Sequence, residues 1–438
     1  MMNKQRYLVA VLAALTVIGT ALPGFAAEGG GLSDRIKAVL AGYDARNGAG
    51  KEETGKDGKK DVPAELFVLP EKTVDNMKAT WLMDGATVAR SDRTIHAFAM
   101  DRSVVLAKHG AAVVLERLKI DKGGDTTSEE GGRHNGQNAA VLAVESKVKL
   151  DGSSVSSAAT GAAAVAVVGT DGNVTVRRSR LSTAGKDSPA VAVLPAAAAE
   201  LTDSDLVTRG RQSACLYSAG SVTVAGTKGF AAAGPIAVLK DGGRISLEDS
   251  SFSGTAEGVM LGGPAADGGE ASFEAKHTRL ENTGAAPLFR VGNMTGHIYL
   301  ENTVLLSAAP AVVAVCDGGA LMLATAKQSW SGNVVADKTS TVMVSLQDGA
   351  VWTGTMNGTA EAEKADINLD RSSQWILTGP SHVTVLSDAD RSLQNIRSGG
   401  YDLYYDRQAA GNDWLHGRTL DLPGGGQLLP QPVRDAVT

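Results

Sequence analysis

The chain has 438 residues, 42 of them basic and 48 acidic, for a formal charge of −6, and its 43% hydrophobic content excludes intrinsic disorder. That balance leaves no basic footprint for nucleic acid, and two cysteines exclude both a disulfide-dense scaffold and a cysteine-rich metal site. Glycine accounts for 52 residues, about 12% against an ordinary ~7%, while Phe, Tyr and Trp reach only 4%, so small and β-branched side chains must fill a narrow, repetitive core.

Lys4 and Arg6 begin a positive segment, Leu8 to Ile18 form an apolar run, and Pro23-Gly24-Phe25-Ala26-Ala27 supplies small residues for cleavage after Ala26. Residues 1–27 therefore read as a secretory signal peptide, since the apolar run is shorter than the ~18 residues a spanning helix needs. The nearest later candidate, 303–316, is interrupted by Ser307 and Pro310, so no membrane span is expected in the mature chain. Residues 28–62 read as a flexible leader. A short helical pattern with Ser33 as N-cap and Ile36, Val39 and Leu40 on one face runs into a Gly/Lys/Glu/Asp stretch of linker composition.

Residues 63–329 carry a repeat. In 244–252, apolar residues stand at Ile245 and Leu247, two apart, and at Phe252, five further on. The triplets Val113/Leu115/Ile120, Val148/Leu150/Val155, Val174/Val176/Leu181, Phe273/Ala275/Leu280 and Ile298/Leu300/Leu305 keep that spacing. With the middle residue as marker, units begin at 150, 176, 201, 224, 247, 275, 300 and 323, in steps of 23 to 28. A second apolar stretch follows in each unit, as in 191–194, 236–239 and 312–315, and Asp-Gly turns close several of them, as at Asp241-Gly242 and Asp317-Gly318. Short alternating strands at this period fit neither βαβ units nor sandwich domains of ~100 residues. They predict an all-β fold, a parallel β-helix whose rungs stack like positions at ~4.8 Å.

The residue two past each marker is predicted to face outward by strand alternation. That column reads Arg117, Gly152, Arg178, Asp203, Gly226, Asp249, His277, Asn302 and Thr325. Cys215 and Cys316 fall in equivalent strands four turns apart, about 19 Å, beyond the ~7 Å Cα separation a disulfide allows. Both are expected to be unpaired and buried.

Residues 330–438 differ in texture and hold Trp330, Trp352, Trp375 and Trp414 with Tyr401, Tyr404 and Tyr405. They are predicted to form the last rungs and an aromatic-rich cap, because the end of a coil exposes an unpaired strand and the core. The functional alternative is an aromatic platform that stacks on glycans. The runs Trp330-Ser331-Gly332-Asn333-Val334, Trp352-Thr353-Gly354-Thr355-Met356-Asn357-Gly358 and Asp370-Arg371-Ser372-Ser373-Gln374-Trp375, with the closing Gly400-Tyr401-Asp402-Leu403-Tyr404-Tyr405-Asp406, resemble the end of secreted bacterial right-handed parallel β-helix proteins of the autotransporter-passenger and adhesin-like kind. The resemblance implies the right-handed coil and an exported location; it implies no activity. No outer-membrane barrel follows these rungs, so self-anchoring is not expected.

An enzyme on such a coil needs clustered carboxylates beside a cation or a histidine. The best cluster is Asp203, Glu248, Asp249 and His277, with Asp249 and His277 as stacked neighbours and Asp203 two turns back behind Gly226. The Asp-Gly turns lack the nine-residue calcium-roll register, no Lys-Ser/Thr follows the glycine runs, and seven scattered histidines show no ligand spacing. No catalytic, cofactor or metal residue is assigned. The stretch 121–135 lengthens one repeat into a polar side loop, where binding on a rigid coil usually resides. The reading expects a non-enzymatic, adhesin-like scaffold, secreted or cell-surface associated (or periplasmic), that binds a glycan or a surface protein. Its alternative is a polysaccharide lyase or hydrolase acting near Asp249 and His277.

Overall fold

The computed structural model describes residues 69–431 apart from 264–267. The predicted signal peptide and leader lie outside the described residues. Parallel strands wind into three long sheets: sheet A stacks eleven strands from Lys78–Asp84 to Asn333–Ala336, sheet B thirteen from Thr87–Ser91 to Val385–Asp388, and sheet C nine from Thr94–Ala97 to Val304–Ser307. Through the regular turns each sheet takes every third strand, so one turn of the coil gives one strand to each. The protein is a parallel β-solenoid.

Valine, leucine and isoleucine at alternate positions of sheet B point inward and stack on their counterparts one turn away. The ladder Leu115, Leu150, Val176, Leu201, Val224, Leu247, Ala275, Leu300 is in register throughout, as the repeat predicts. The final marker is corrected by one step of alternation. Leu323 pairs with Ile298, and Thr325 occupies the position under Leu300 with its side chain fully buried. The chain places a threonine at the inward site there, so the apolar pattern of Leu321 and Leu323 draws the marker two residues early.

The spacing of two then five is a corner. After each of nine successive sheet B strands, from Ala112–Glu116 to Ala320–Ala326, one residue turns left-handed, with φ from 45° to 58° at Arg117, Gly152, Arg178, Asp203, Gly226, Asp249, His277, Asn302 and Lys327. The outward column is therefore a stack of turns and not a continuation of strand alternation, and its last member is Lys327, not the buried Thr325. Asp, Asn and Gly tolerate this conformation best.

From Gly152 to Asn302 the next residue closes the corner with a hydroxyl. Ser153 N–H donates to Ser179 Oγ at 3.0 Å, Ser179 N–H to Ser204 Oγ at 3.2 Å, Ser204 N–H to Thr227 Oγ1 at 3.3 Å and Thr227 N–H to Ser250 Oγ at 3.2 Å. Each of these hydroxyls from Ser179 to Ser250 in turn donates to the carbonyl two residues before it. Ser204→Ala is expected to leave the buried Ser179 N–H without an acceptor and to cost about 1–3 kcal/mol, read as a lowered midpoint in urea with an unchanged slope. No shift of the midpoint would show that the ladder adds nothing to stability.

Both cysteines are unpaired, and Cys215 is buried, a setting that pushes its thiol up to about 12. Cys316 corrects the expectation of burial, because it is the last residue of Ala311–Cys316 and only half-buried, with Arg290 Nε at 3.4 Å from its sulfur.

Trp330, Trp352 and Trp375 stack in register inside the coil, centroids 4.9 and 5.0 Å apart, on sheet D, which runs from Ser329–Ser331 to Ile396–Arg397. The three rings are an internal column, with Ile396 in register beyond Trp375. The free edge of the last sheet B strand is covered instead by the 3-10 turn Ala410–Leu415. There Asn412 Oδ1 accepts from Leu386 N–H at 2.9 Å, Asn412 Nδ2 donates to Thr384 O at 2.8 Å, and Trp414 Nε1 donates to Leu386 O at 3.2 Å.

Asp388 follows Leu369 on the inward ladder and is fully buried. Its Oδ1 accepts from Asn395 Nδ2 at 3.0 Å and from Asp390 N–H at 2.8 Å, but burial outweighs these bonds and pushes the carboxyl up to about 6. The folded state thus holds this proton more tightly than the unfolded chain. The penalty is absent below about pH 4 and grows as pH rises through 6, reaching roughly 2–3 kcal/mol at neutrality. Asp388→Asn is expected to raise the melting temperature above that of the parent at pH 7 and to lose that advantage by pH 4. A difference that stays constant over the window would refute the assignment.

Candidate functional site

Asp249 and His277 are adjacent in the corner column, with Asp249 Oδ1 and His277 Nδ1 3.8 Å apart and the side chains 69% and 48% exposed. They flank an open notch with Lys228, Arg279 and Asn302. Asp203 lies two turns away, its carboxylate against Gly226, and Glu248 ends its strand on the outward face of sheet B in register with Lys276. The four predicted residues are therefore not brought together. An exposed pair at this distance is worth less than ~1 kcal/mol and has no wall to exclude water. Among the described residues no group of three or more His, Cys, Asp or Glu side chains has metal-binding geometry.

The outer face of sheet A is different. Its outward column runs Leu82, Leu106, Leu142, Ala166, Ala192, Tyr217 and then Val238, Met260, Arg290, Ala314, Val335, all in register. Arg290 is the one charged member of this stripe. Past the exposed Leu82, its members Leu106, Leu142 and Ala166 are covered by the chain itself. Leu69, Val74 and Met77, on and beside the short helix Glu71–Asp75, pack in one buried cluster with Leu106, Leu142, Ala166 and Leu194.

The polar side loop forms the next part of the cover. Its helix Glu129–Asn135 is N-capped by Ser128, whose Oγ accepts from Gly131 N–H at 2.9 Å, and ends at Gly136 with φ 67°. A Cβ at Gly136 would meet Leu142 Cδ1 at 2.9 Å and Ala166 Cβ at 3.0 Å, so only glycine lets the loop sit this close. Asp101 holds the loop by accepting from Thr127 N–H at 2.8 Å, and Asp125 by accepting from Thr160 N–H at 2.8 Å. Hydrogen bonds to Asp101 from the Thr126 and Thr127 hydroxyls hold that carboxyl below its usual range against the opposing effect of burial. The loop is a fixed wall.

Beyond that wall the stripe is open. A cavity of about 400 Å³ runs over Ala192, Tyr217, Val238 and Met260, bounded by Glu129 and Asp187 on one rim and by Lys240 and Gly262 on the other. It spans the turns from Ala163 to Met260, roughly 19 Å along the coil at ~4.8 Å per turn. The loop at 121–135 predicted from its length thus lies beside the cavity, but sequence reasoning missed the floor. The available signal is the sheet A strands, Val141–Val144 (VLAV) and Val165–Val168 (VAVV), which are apolar at every position. Loss of alternation marks a strand buried on both faces.

The fold and this groove define a parallel β-solenoid with an apolar, grooved outer face on one sheet. No protein-family model and no curated protein matches the chain. Among the described residues no helix is long and apolar enough to cross a membrane.

Proposed function

We propose that this protein is an exported, non-enzymatic, adhesin-like scaffold that binds its ligand in the groove on sheet A, at the cell surface or outside the cell. The observation that carries the reading is the concave, uncovered stretch of an apolar stripe, from Ala192 to Met260, walled on one side by a loop that the coil holds through Asp101 and Asp125. Preformed, largely apolar concavities of several hundred Å³ with a few polar groups at the rim are the usual form of a binding site. The exposed Asp249–His277 notch supplies neither desolvation nor a second carboxylate for hydrolysis or elimination. Export rests on the signal-peptide pattern of residues 1–27.

The test uses the chain from residue 28, purified and screened for binding to arrayed glycans and surface proteins, with every hit checked for unsaturated or reducing-sugar product. Ligand binding without product, weakened by Tyr217→Ala, is the expected result. Product release lost in Asp249→Ala would overturn the scaffold reading in favour of an enzyme.

A further inference from the structure

We infer that the sheet A groove takes an amphipathic helical segment of a partner protein, an inference that rests on the scaffold reading and narrows its ligand to a polypeptide. Continuity with the neighbouring interface carries the argument. On the first turns of the same outward column, the occupant is already polypeptide: the short helix Glu71–Asp75 lays Val74, with Leu69 and Met77 beside it, over Leu106 and Leu142. The column continues without a break into the groove floor at Ala192, Tyr217, Val238 and Met260.

The floor favours polypeptide over the other ligand class. Its one hydrogen-bonding side chain is that of Tyr217, and the polar lining residues, among them Thr160, Asp187, Gln212 and Lys240, lie outside that column. An added β-strand is also excluded, because every sheet A strand under the groove is paired on both sides and has no free edge. What remains is side-chain packing on a sheet face, the ordinary partner of a helix with one apolar stripe. A span of ~19 Å matches three to four helical turns, or about 13 residues. The rims add an orientation: Glu129 and Asp187 along one side favour basic residues on that flank of the helix, and Lys240 on the other side favours an acidic flank.

The probe is a fluorescein-labelled 14-residue helix-forming peptide with leucines at i, i+3, i+7 and i+10, lysines on one flank and glutamates on the other. It is titrated against the chain from residue 28 by fluorescence anisotropy, beside a scrambled peptide of the same composition. Saturable binding, at least tenfold weaker for the scrambled peptide and at least tenfold weaker for Val238→Asp, is expected. Val238 points outward, so that variant should keep the parent circular dichroism; Met260→Ala, a milder change, should weaken binding severalfold. Equal binding of both peptides, or binding untouched by either variant, overturns the inference. So does self-association of the protein that Val238→Asp abolishes, because the occupant is then a second copy. A glycan bound in the groove and lost in the same variants would overturn the helix while leaving the scaffold reading intact.

Discussion

Leu247→Asp is expected to abolish folding of the coil. Leu247 is 1% exposed and stacks between Val224 and Ala275 on the inward ladder of sheet B. A carboxylate at this site would have neither water nor a counter-charge, and a buried unpaired charge costs several kcal/mol even after local relaxation. A domain with a margin of 5–15 kcal/mol loses much of it to one such change, and a solenoid turn has only its two neighbours with which to share the strain. Loss of the cooperative transition in circular dichroism, with rapid proteolysis near residue 247, is the outcome that fits. A variant melting at the parent temperature would disprove the register of the ladder.

Trp352→Ala should be the next most damaging change. The ring is fully buried between Trp330 and Trp375, its plane within 8° of one and 3° of the other, and its Nε1 donates to Gly332 O at 2.9 Å. Truncation creates a large cavity, at about 3–5 kcal/mol, and removes two aromatic contacts worth ~0.5–1.5 kcal/mol each. Guanidinium denaturation of Trp352→Ala and of Trp352→Phe, which keeps a ring, should rank the two below the parent in that order. If these tryptophans served as a glycan platform instead, both variants would keep the parent midpoint and lose ligand.

The inward ladder is legible because alternation leaves a period of two, and Ile245 and Leu247 state it without ambiguity. The register failed only where Thr325 replaced an aliphatic residue at an inward position, since pattern reading has no other marker. The corners were not legible as corners. One residue with positive φ, such as Arg178, breaks no hydrophobic pattern, and the hydroxyl ladder behind it looks like ordinary polar surface until the turns are stacked. Size alone suggests an end cover for the tryptophans. Three of them fill the interior, and covering the sheet edge falls to Asn412 and Trp414, which reach Leu386 from 26 and 28 residues away in the chain. Of the candidate site, the loop at 121–135 could be found from its length, whereas the groove floor required knowing which face of each apolar strand turns outward.

The stacking of turns also sets how the molecule answers to load. Hydrogen bonds between parallel strands lie across the strands, and therefore along the coil axis. Tension applied through the two chain ends cannot shear a whole sheet at once; it opens the bonds of one turn before those of the next. Each turn of 23 to 28 residues then releases about 80–95 Å of extended chain at ~3.4 Å per residue. A coil built this way yields in steps and lengthens many times over before its last turn lets go.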